Sequence, residues 1–425
     1  MKKIQAIKGT YDILPGEVEI WQHIEEKVRY RMRMYGYSEI RTPVFEETGL
    51  FARSIGEDTD IVGKEMYTFN DMGNRSLTLR PEGTASVIRA FIEHSLDQKG
   101  LPQSLWYMGP MFRQERPQKG RQRQFHQFGA EIIGSPSPLV DADMMILFDD
   151  IVKDLGLNER VYALNFIGRG ESRQAFTDAL VAFLDTVEDN LCDDCKRRKA
   201  TNPLRVLDCK VPSCREAVHD SERLPKTVDF LDDDDTRHYG TVKNVLHDYG
   251  VAFVEDPYLV RGLDYYTGTI FEMNCSGLGA QSAIMGGGRY DNLIKDLGGP
   301  DLPATGFACG MERLVLAIEA EGSVPDAGNW MDVYLIDPVG DNDSQERTAG
   351  YLKTLRKLGY TVMMDYMRRS MKSQMKSAAR ANAGYALIIE SEEGMVSARN
   401  MGRSEQEMMT FDAFLDKLKN DKDTI

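Results

Sequence analysis

The chain has 425 residues, enough for two or three domains rather than one ordinary core. It is 42% hydrophobic and 28% charged, with no unbroken apolar run as long as a bilayer is thick, which excludes a membrane-spanning helix and predicts soluble globular modules. The 52 basic residues are outnumbered by 67 acidic ones, a net charge of −15, and taken alone this argues against a nucleic-acid partner. Binding a polyanion needs local basic surface rather than a positive total, so the positions of the lysines and arginines decide.

The first residues, MKKIQAIKGTYDILPGE, carry two lysines with no apolar stretch behind them, so no signal segment is readable and a cytoplasmic location is expected. Trp21, Ile24, Val28, Met32 and Tyr35 recur at steps of three and four, which predicts an amphipathic helix over 17–35, ended by Gly36. Residues 37–45 alternate as a half-buried strand, and Pro43 marks it as an edge or a special contact rather than a central strand. Over 105–134 the pattern is strand, polar loop (QERPQKGRQ), strand, a long antiparallel hairpin. Residues 168–255 turn charge-rich and helical, hold four of the six cysteines and an acidic run at Asp232–Asp235, and read as an insertion. Strands resume at 267–273 and 280–285, Gly286 to Gly288 follow, and a strand runs into a helix over 305–320. A linker at 321–329 leads to the short apolar strands DVYLID, TVMMD and YALIIE, separated by helical stretches at 343–358 and 369–383. The expected domains are therefore 1–325, interrupted by the helical insertion 168–255, and 330–425, a small α/β unit. In that tail Arg368, Arg369, Lys372, Lys376 and Arg380 gather where no acidic residue falls between Tyr366 and Ile389, the best basic patch in the chain; a merely solvated helix face is the competing reading.

Within 124–133 a period of two puts Gln127, Gly129 and Glu131 on one face, an amide and a carboxylate flanking a bare position. Both polar groups could accept a hydrogen bond from an ammonium or an imidazole N–H, and Gly129 would leave room for the ligand. Cys192 and Cys195 form a C-x-x-C, with Cys209 and Cys214 close behind. Four thiols suffice for a structural zinc, but the second pair is spaced by four residues. Free thiols and no metal are the expectation.

Phe112-Arg113-Gln114-Glu115 with the basic loop and Gln124–Gly134 resembles motif 2 of class II aminoacyl-tRNA synthetases. YGYSEIRTPVFEE resembles their motif 1, and GFACGMERL, ending in Glu312 and Arg313, resembles motif 3, with Ala308 where glycine is usual. RGLDYYTGTIFE and GGGRYDNL resemble the two signatures of histidyl-tRNA synthetases, and KGTYDILPGE and LRPEGTA agree with that family. The resemblance implies an α+β catalytic domain on an antiparallel sheet with flanking helices, a mainly helical insertion and a C-terminal α/β anticodon-binding domain. It also implies a homodimer, L-histidine, ATP and tRNA(His) as partners, and Mg2+. By the same resemblance Arg113 and Arg261 are the catalytic residues, and with Glu82, Gly83, Thr84, Gln127, Glu131, Tyr265 and Tyr266 they bind histidine. Arg113, Glu115, Arg121 and Arg313 take ATP; Gln118, Lys119 and Arg123, with Lys372, Lys376 and Arg380, take tRNA. Adjacent residues in a strand point opposite ways, so at most one of Tyr265 and Tyr266 can face the ligand directly. The family is not built around zinc, which again favours free thiols. The rival on the same fold is a non-catalytic, histidine-sensing regulatory subunit of ATP phosphoribosyltransferase, but such paralogues typically lack the C-terminal domain and degrade the arginines kept here.

Overall fold

The computed structural model describes residues 3–56, 59, 61–118, 120–219, 221–278, 282–324 and 331–422. It divides into two units, Met1–Val324 and Pro325–Ile425. Helix α1 (Val18–Met34) buries Ile20, Trp21, Ile24, Val28 and Met32 along one stripe, as its spacing predicts. The strand predicted at 37–45 is instead two short ones in different sheets, β1 (Ser38–Glu39) and β2 (Phe45–Glu47). Between them Ile40 and Val44 keep backbone hydrogen bonds with Trp106 and Arg80, and over Thr42 and Pro43, which has no N–H to offer, the Arg80 side chain joins in, donating to the carbonyls of Thr42 and Pro110, each at 3.0 Å. Helix α2 (Thr48–Ile55) follows, then β3 (Tyr67–Asn70) and β4 (Ser76–Leu79), which complete a three-stranded sheet β2-β4-β3.

Helix α3 (Thr84–Glu93) precedes the hairpin of β5 (Gln103–Phe112) and β6 (Gln124–Ile133), paired without a break from Gln103 opposite Ile133 to Phe112 opposite Gln124. Helix α4 (Pro138–Asp154) starts at a Ser-Pro pair, the Ser137 hydroxyl accepting from the Leu139 amide at 3.2 Å. After β7 (Arg160–Phe166) come α5 (Gly170–Thr186), α6 (Asp193–Thr201), α7 (Pro212–His219) and α8 (Asp233–Asp248). The acidic run is the start of α8: the Asp232 carboxylate caps the Asp235 amide at 2.8 Å, and Asp233 to Asp235 sit where the helix dipole favours negative charge. The unit closes with β8 (Phe253–Glu255), β9 (Thr269–Cys275), β10 (Ala283–Arg289), α9 (Leu293–Asp296), β11 (Ala304–Gly310) and α10 (Met311–Glu321).

The large sheet runs β1-β5-β6-β11-β10-β9-β7-β8. Its five interior pairings are antiparallel, as expected, but both outermost pairings, β1 with β5 and β7 with β8, are parallel, so the sheet is mixed. Alternation along the strands makes two cores. Phe128, Ala130, Ile132, Phe271 and Phe307 pack under α1, α4, α8 and α10. Leu105, Tyr107, Ile133, Ile270 and Tyr290 face α3 and α9. Although α8 falls in the expected insertion, its Tyr239, Val242 and Leu246 belong to the first core, whereas α5, α6 and α7 share a separate one.

The second unit is a five-stranded sheet, β13-β12-β14-β15-β16, made of β12 (Met331–Ile336), β13 (Val362–Met364), β14 (Ala383–Ile389), β15 (Met395–Asn400) and β16 (Gln406–Thr410). Helices α11 (Asn342–Lys357), α12 (Met371–Arg380) and α13 (Phe411–Lys422) accompany it. The first three strands are parallel, joined through α11 and α12 as the alternation predicts; the antiparallel pair β15 and β16 adds to it. Among the described residues no helix is long and apolar enough to cross a membrane.

Candidate active site

On the α3 side of the sheet, Glu131 is wholly buried. The Thr84 hydroxyl donates to one of its oxygens at 2.8 Å and the Tyr290 hydroxyl to the other. Gly306, directly opposite on β11, makes this possible: a Cβ there would lie 1.6 Å from the carboxylate. Burial pushes the Glu131 carboxyl up to about 8, the two hydroxyls oppose the shift, and neighbouring Glu82 adds to it. Glu82 is itself buried and accepts from the first amides of α3, Thr84 at 2.6 Å and Ala85 at 2.9 Å. Its carboxyl is also raised by burial, against those amides and the nearby Arg113 charge. Two carboxyls thus share one pocket, and among the described residues the hydrogen-bond partners of Glu131 are both hydroxyls rather than cations.

Gln127, Gly129 and Glu131 do share a face, but the space beside Gly129 is filled. A Cβ there would meet the Tyr107 ring at 2.5 Å and the Phe307 carbonyl at 2.6 Å, so the bare position seats a tyrosine from the paired strand instead of opening to a ligand. Gly83, at the start of α3, abuts the same ring. The Gln127 side-chain oxygen is buried without a hydrogen-bond partner among the described residues. Tyr265 and Tyr266 lie in a turn before β9, not in a strand, so alternation does not apply. Both rings are buried, 4.7 Å apart, and Tyr265 reaches Tyr290 at 5.4 Å. Both can therefore bear on the pocket. Burial, aided by the charges of Glu82 and Glu131, keeps both phenols protonated and able to donate.

Arg113, just past β5, donates from Nε to the Pro81 carbonyl at 3.0 Å and lies over the Phe125 ring at 5.2 Å. Burial lowers its pKa while the charges of Glu115, Glu65 and Glu82 work the other way. Arg261 pairs with Glu272 at 2.5 Å and lies flat on Gly286, where a Cβ would come within 2.1 Å of its guanidinium. Burial opposes its charge, but Glu272 and the two tyrosines outweigh burial, and its pKa rises. At the hairpin end Arg121 pairs with Glu115 at 3.4 Å. Arg313, in the first turn of α10, has its pKa lowered by burial and by the nearby charge of Arg121.

Other expected site residues lie on the hairpin loop and on α12. Arg123 holds the N-terminal segment, its backbone amide donating to Gly9 at 2.7 Å and its guanidinium to Lys8 at 3.3 Å. Gln118 exchanges backbone hydrogen bonds with Arg121, and Lys119 lies outside the described residues. On α12, Lys372, Lys376 and Arg380 are all exposed at four-residue steps, one stripe of positive charge.

Pattern reading overlooked several groups. The Glu312 carboxylate accepts from the His126 amide at 2.9 Å and faces its ring at 3.1 Å, tying α10 to β6. Three insertion residues grip the RGLDYY turn: Arg205 pairs with Asp264 at 3.0 Å and donates to the Gly262 carbonyl at 2.7 Å, Asn202 donates to Asp264 at 2.7 Å, and Arg173 donates to the Tyr266 carbonyl. Arg289 of GGGRYD points away from the pocket, wholly buried against Asp141 at 2.6 Å, where Thr269 and His238 also meet that carboxylate at 2.8 Å each. Nothing in their local sequence announces long-range contacts.

Residues 9–314 match the family model described as histidyl-tRNA synthetase, and 333–421 that of the anticodon binding domain. The histidine–tRNA ligase of Fervidobacterium nodosum is 48% identical over 405 residues, 95% of each chain. The crystal structure of apo S. aureus histidyl-tRNA synthetase superimposes with a TM-score of 0.82 at 38% identity, covering 98% of this chain and 100% of that one. An ATP phosphoribosyltransferase regulatory subunit/histidyl-tRNA synthetase from Bacillus halodurans reaches 0.65 at 22% identity, over 91% and 98%, a likeness of fold alone. Matches of this extent define an aminoacyl-tRNA synthetase, an enzyme. The chain belongs to the histidyl-tRNA synthetase family.

Proposed function

We propose that the chain activates L-histidine with ATP to histidyl-adenylate and pyrophosphate, and then transfers histidine to the 3′-terminal adenosine of tRNA(His). The observation that carries this reading is a pocket of two buried carboxyls and an unpartnered amide oxygen, Glu82, Glu131 and Gln127, edged by Arg113 and Arg261. The carboxyls and the amide accept from the ammonium and imidazole of histidine, while Thr84, Tyr265 and Tyr266 shape the walls around Gly83. A wrong amino acid leaves these buried groups unpaired, which is how such a site rejects it.

Activation brings the histidine carboxylate against the α-phosphorus, two anions in an in-line displacement with pyrophosphate leaving. Arg113 and Arg261 stabilise the charge that develops there. Arg121 and Arg313 hold the far phosphate and the adenine, and Glu115 accepts from the adenine amino group. The adenosine hydroxyl then attacks the adenylate carbonyl and AMP departs. Magnesium would accompany the ATP phosphates, with Glu272 and Glu115, now paired to Arg261 and Arg121, as the carboxylates that could hold it. When bound it neutralises the leaving pyrophosphate. Gln118, Lys119 and Arg123 meet the acceptor end of the tRNA, and the 330–425 unit meets the anticodon through Lys372, Lys376 and Arg380.

A homodimer is part of this reading. Phe45 and Phe69, half exposed with rings 6.5 Å apart on the three-stranded sheet, offer an apolar surface for a second copy. The enzyme is assigned to the cytoplasm, where tRNA is charged. Histidine-dependent ATP–pyrophosphate exchange, run with a panel of amino acids, is the test: exchange with histidine alone is expected, and none with histidine would end the proposal. The regulatory-subunit reading is disfavoured by the matched anticodon-binding domain and by the retained Arg113, Arg261 and Arg313.

A further inference from the structure

The insertion carries a cluster that the reaction does not use. Cys192 is the cap of α6, Cys195 lies in its first turn, Cys209 follows a short helical turn at Pro203–Val206, and Cys214 opens α7. Their four sulfurs all lie within 4.8 Å of one another, and those of Cys192 and Cys209 are 4.0 Å apart. A tetrahedral tetrathiolate zinc with bonds of about 2.3 Å sets its sulfurs about 3.8 Å apart, so the cluster needs only a slight contraction to close on an ion. Cys195, Cys209 and Cys214 are buried and Cys192 partly so, which shields the group from solvent. The Cys214 sulfur accepts the backbone N–H of Cys192 at 2.9 Å, the kind of donor that settles a thiolate.

We infer that Cys192, Cys195, Cys209 and Cys214 bind one structural zinc ion. Pairs separated by two and by four residues both lie within the usual range of ligand spacing, so the wider second pair that argued against a metal is no obstacle. A buried four-sulfur site is soft and closed, which selects zinc over magnesium or calcium and keeps no open position for chemistry. On binding, each thiol gives its proton to solvent and forms a zinc–sulfur bond. The insertion has reason to need the ion. Helices α6 and α7 have nine and eight residues, too short to persist alone, and the largest apolar side chains of the core they share, Phe176 and Phe183, come from α5 rather than from either of them. That same segment delivers Asn202 and Arg205 to the RGLDYY turn. The ion thereby acts as a positioning element for Arg261 and the two tyrosines, while taking no part in the reaction.

Metal analysis of the full chain, expressed with zinc available and purified without chelator, is the test. About one zinc per chain is expected, falling to about a tenth or less in Cys195→Ser and Cys214→Ser and unchanged in Cys275→Ser, whose thiol lies in the main sheet. Exchange with cobalt should give the visible spectrum of a tetrahedral tetrathiolate site. If the serine variants do not fold, the unsubstituted protein still decides: a mercurial that blocks thiols should release zinc in step with the loss of four of them. Folded, unsubstituted protein with no bound zinc, and with the insertion thiols either freely reactive or joined as a disulfide, overturns the inference.

Discussion

Asp141 and Glu131 are both wholly buried carboxylates, served from opposite faces of one sheet by adjacent residues of the GGGRYD segment. Arg289 turns to Asp141 and brings it a full positive charge, with His238 and Thr269 completing the shell. Burial raises Asp141, but Arg289 and His238 win and its pKa ends below the usual range. Tyr290 turns to Glu131 and brings only a hydroxyl, and there burial wins. An acid compensated by its own protein is a brace; an acid compensated by hydroxyls alone is set to receive a positive charge from elsewhere. The pair gives a physical way to tell scaffold from pocket when both are buried, polar and carried on the same signature.

The largest effect should come from breaking the brace. Arg289→Ala leaves Asp141 buried without its cation and should cost about 3–5 kcal/mol of unfolding free energy, read by urea titration. A loss under about 1 kcal/mol would mean that the network is not structural. Arg261→Ala comes next: the rate of activation should fall about 100- to 1000-fold with histidine affinity largely kept, because the charge is needed where phosphate charge develops. Rate and affinity falling together would deny it that role. Glu131→Gln should weaken histidine binding about 10- to 100-fold by calorimetry while the protein stays folded.

The two acids also make opposite pH predictions. Glu131 is raised in the folded state, so the folded chain holds its proton longer and its contribution to stability falls as pH climbs from the ordinary carboxylate range to about 8. Asp141 is lowered, so its contribution is present above the ordinary carboxylate pKa and lost as pH drops below it. Thermal unfolding of Glu131→Gln between pH 5 and pH 8 should lose the downward slope; an unchanged slope would remove Glu131 as its source. The smallest effect is the tail's. Replacing Lys372, Lys376 and Arg380 together by alanine should raise KM for tRNA about tenfold, flatten its salt dependence and leave pyrophosphate exchange untouched. Undiminished charging at low tRNA would take the stripe out of the interface.

Much of the frame was legible because its signals are local. The spacing of Trp21 to Met32 gave α1, the polar loop between apolar runs gave the β5–β6 hairpin, and the apolar segments of the tail gave its parallel strands. The strand expected at 37–45 is broken at Thr42 and Pro43, where Pro43 cannot donate to a ladder and the Arg80 side chain, distant in sequence, bonds the chain instead. For the site, period two correctly put Gln127 and Glu131 on one face but could not know that Tyr107 stands opposite Gly129, since register across strands is a tertiary fact. For a related reason the tyrosine pair escapes alternation, which holds in strands, whereas these two residues precede one. Arg173, Asn202 and Arg205 could not be found at all, because their partners lie about 60 to 90 residues away and the local pattern is that of an ordinary polar helix.

Gly286 and Gly306 each occupy the volume that a methyl group would claim from a charged side chain, Arg261 in one case and Glu131 in the other. Glycine to alanine is ordinarily scored as a mild exchange. Here it would act as a remote deletion: the backbone would remain, and the guanidinium or the carboxylate would be turned out of its seat by a group carrying no charge at all. A genetic survey that ranked variants by chemical similarity would place these two among the harmless, while one that asked whose space each atom borrows would place them beside the loss of the arginine and the glutamate themselves.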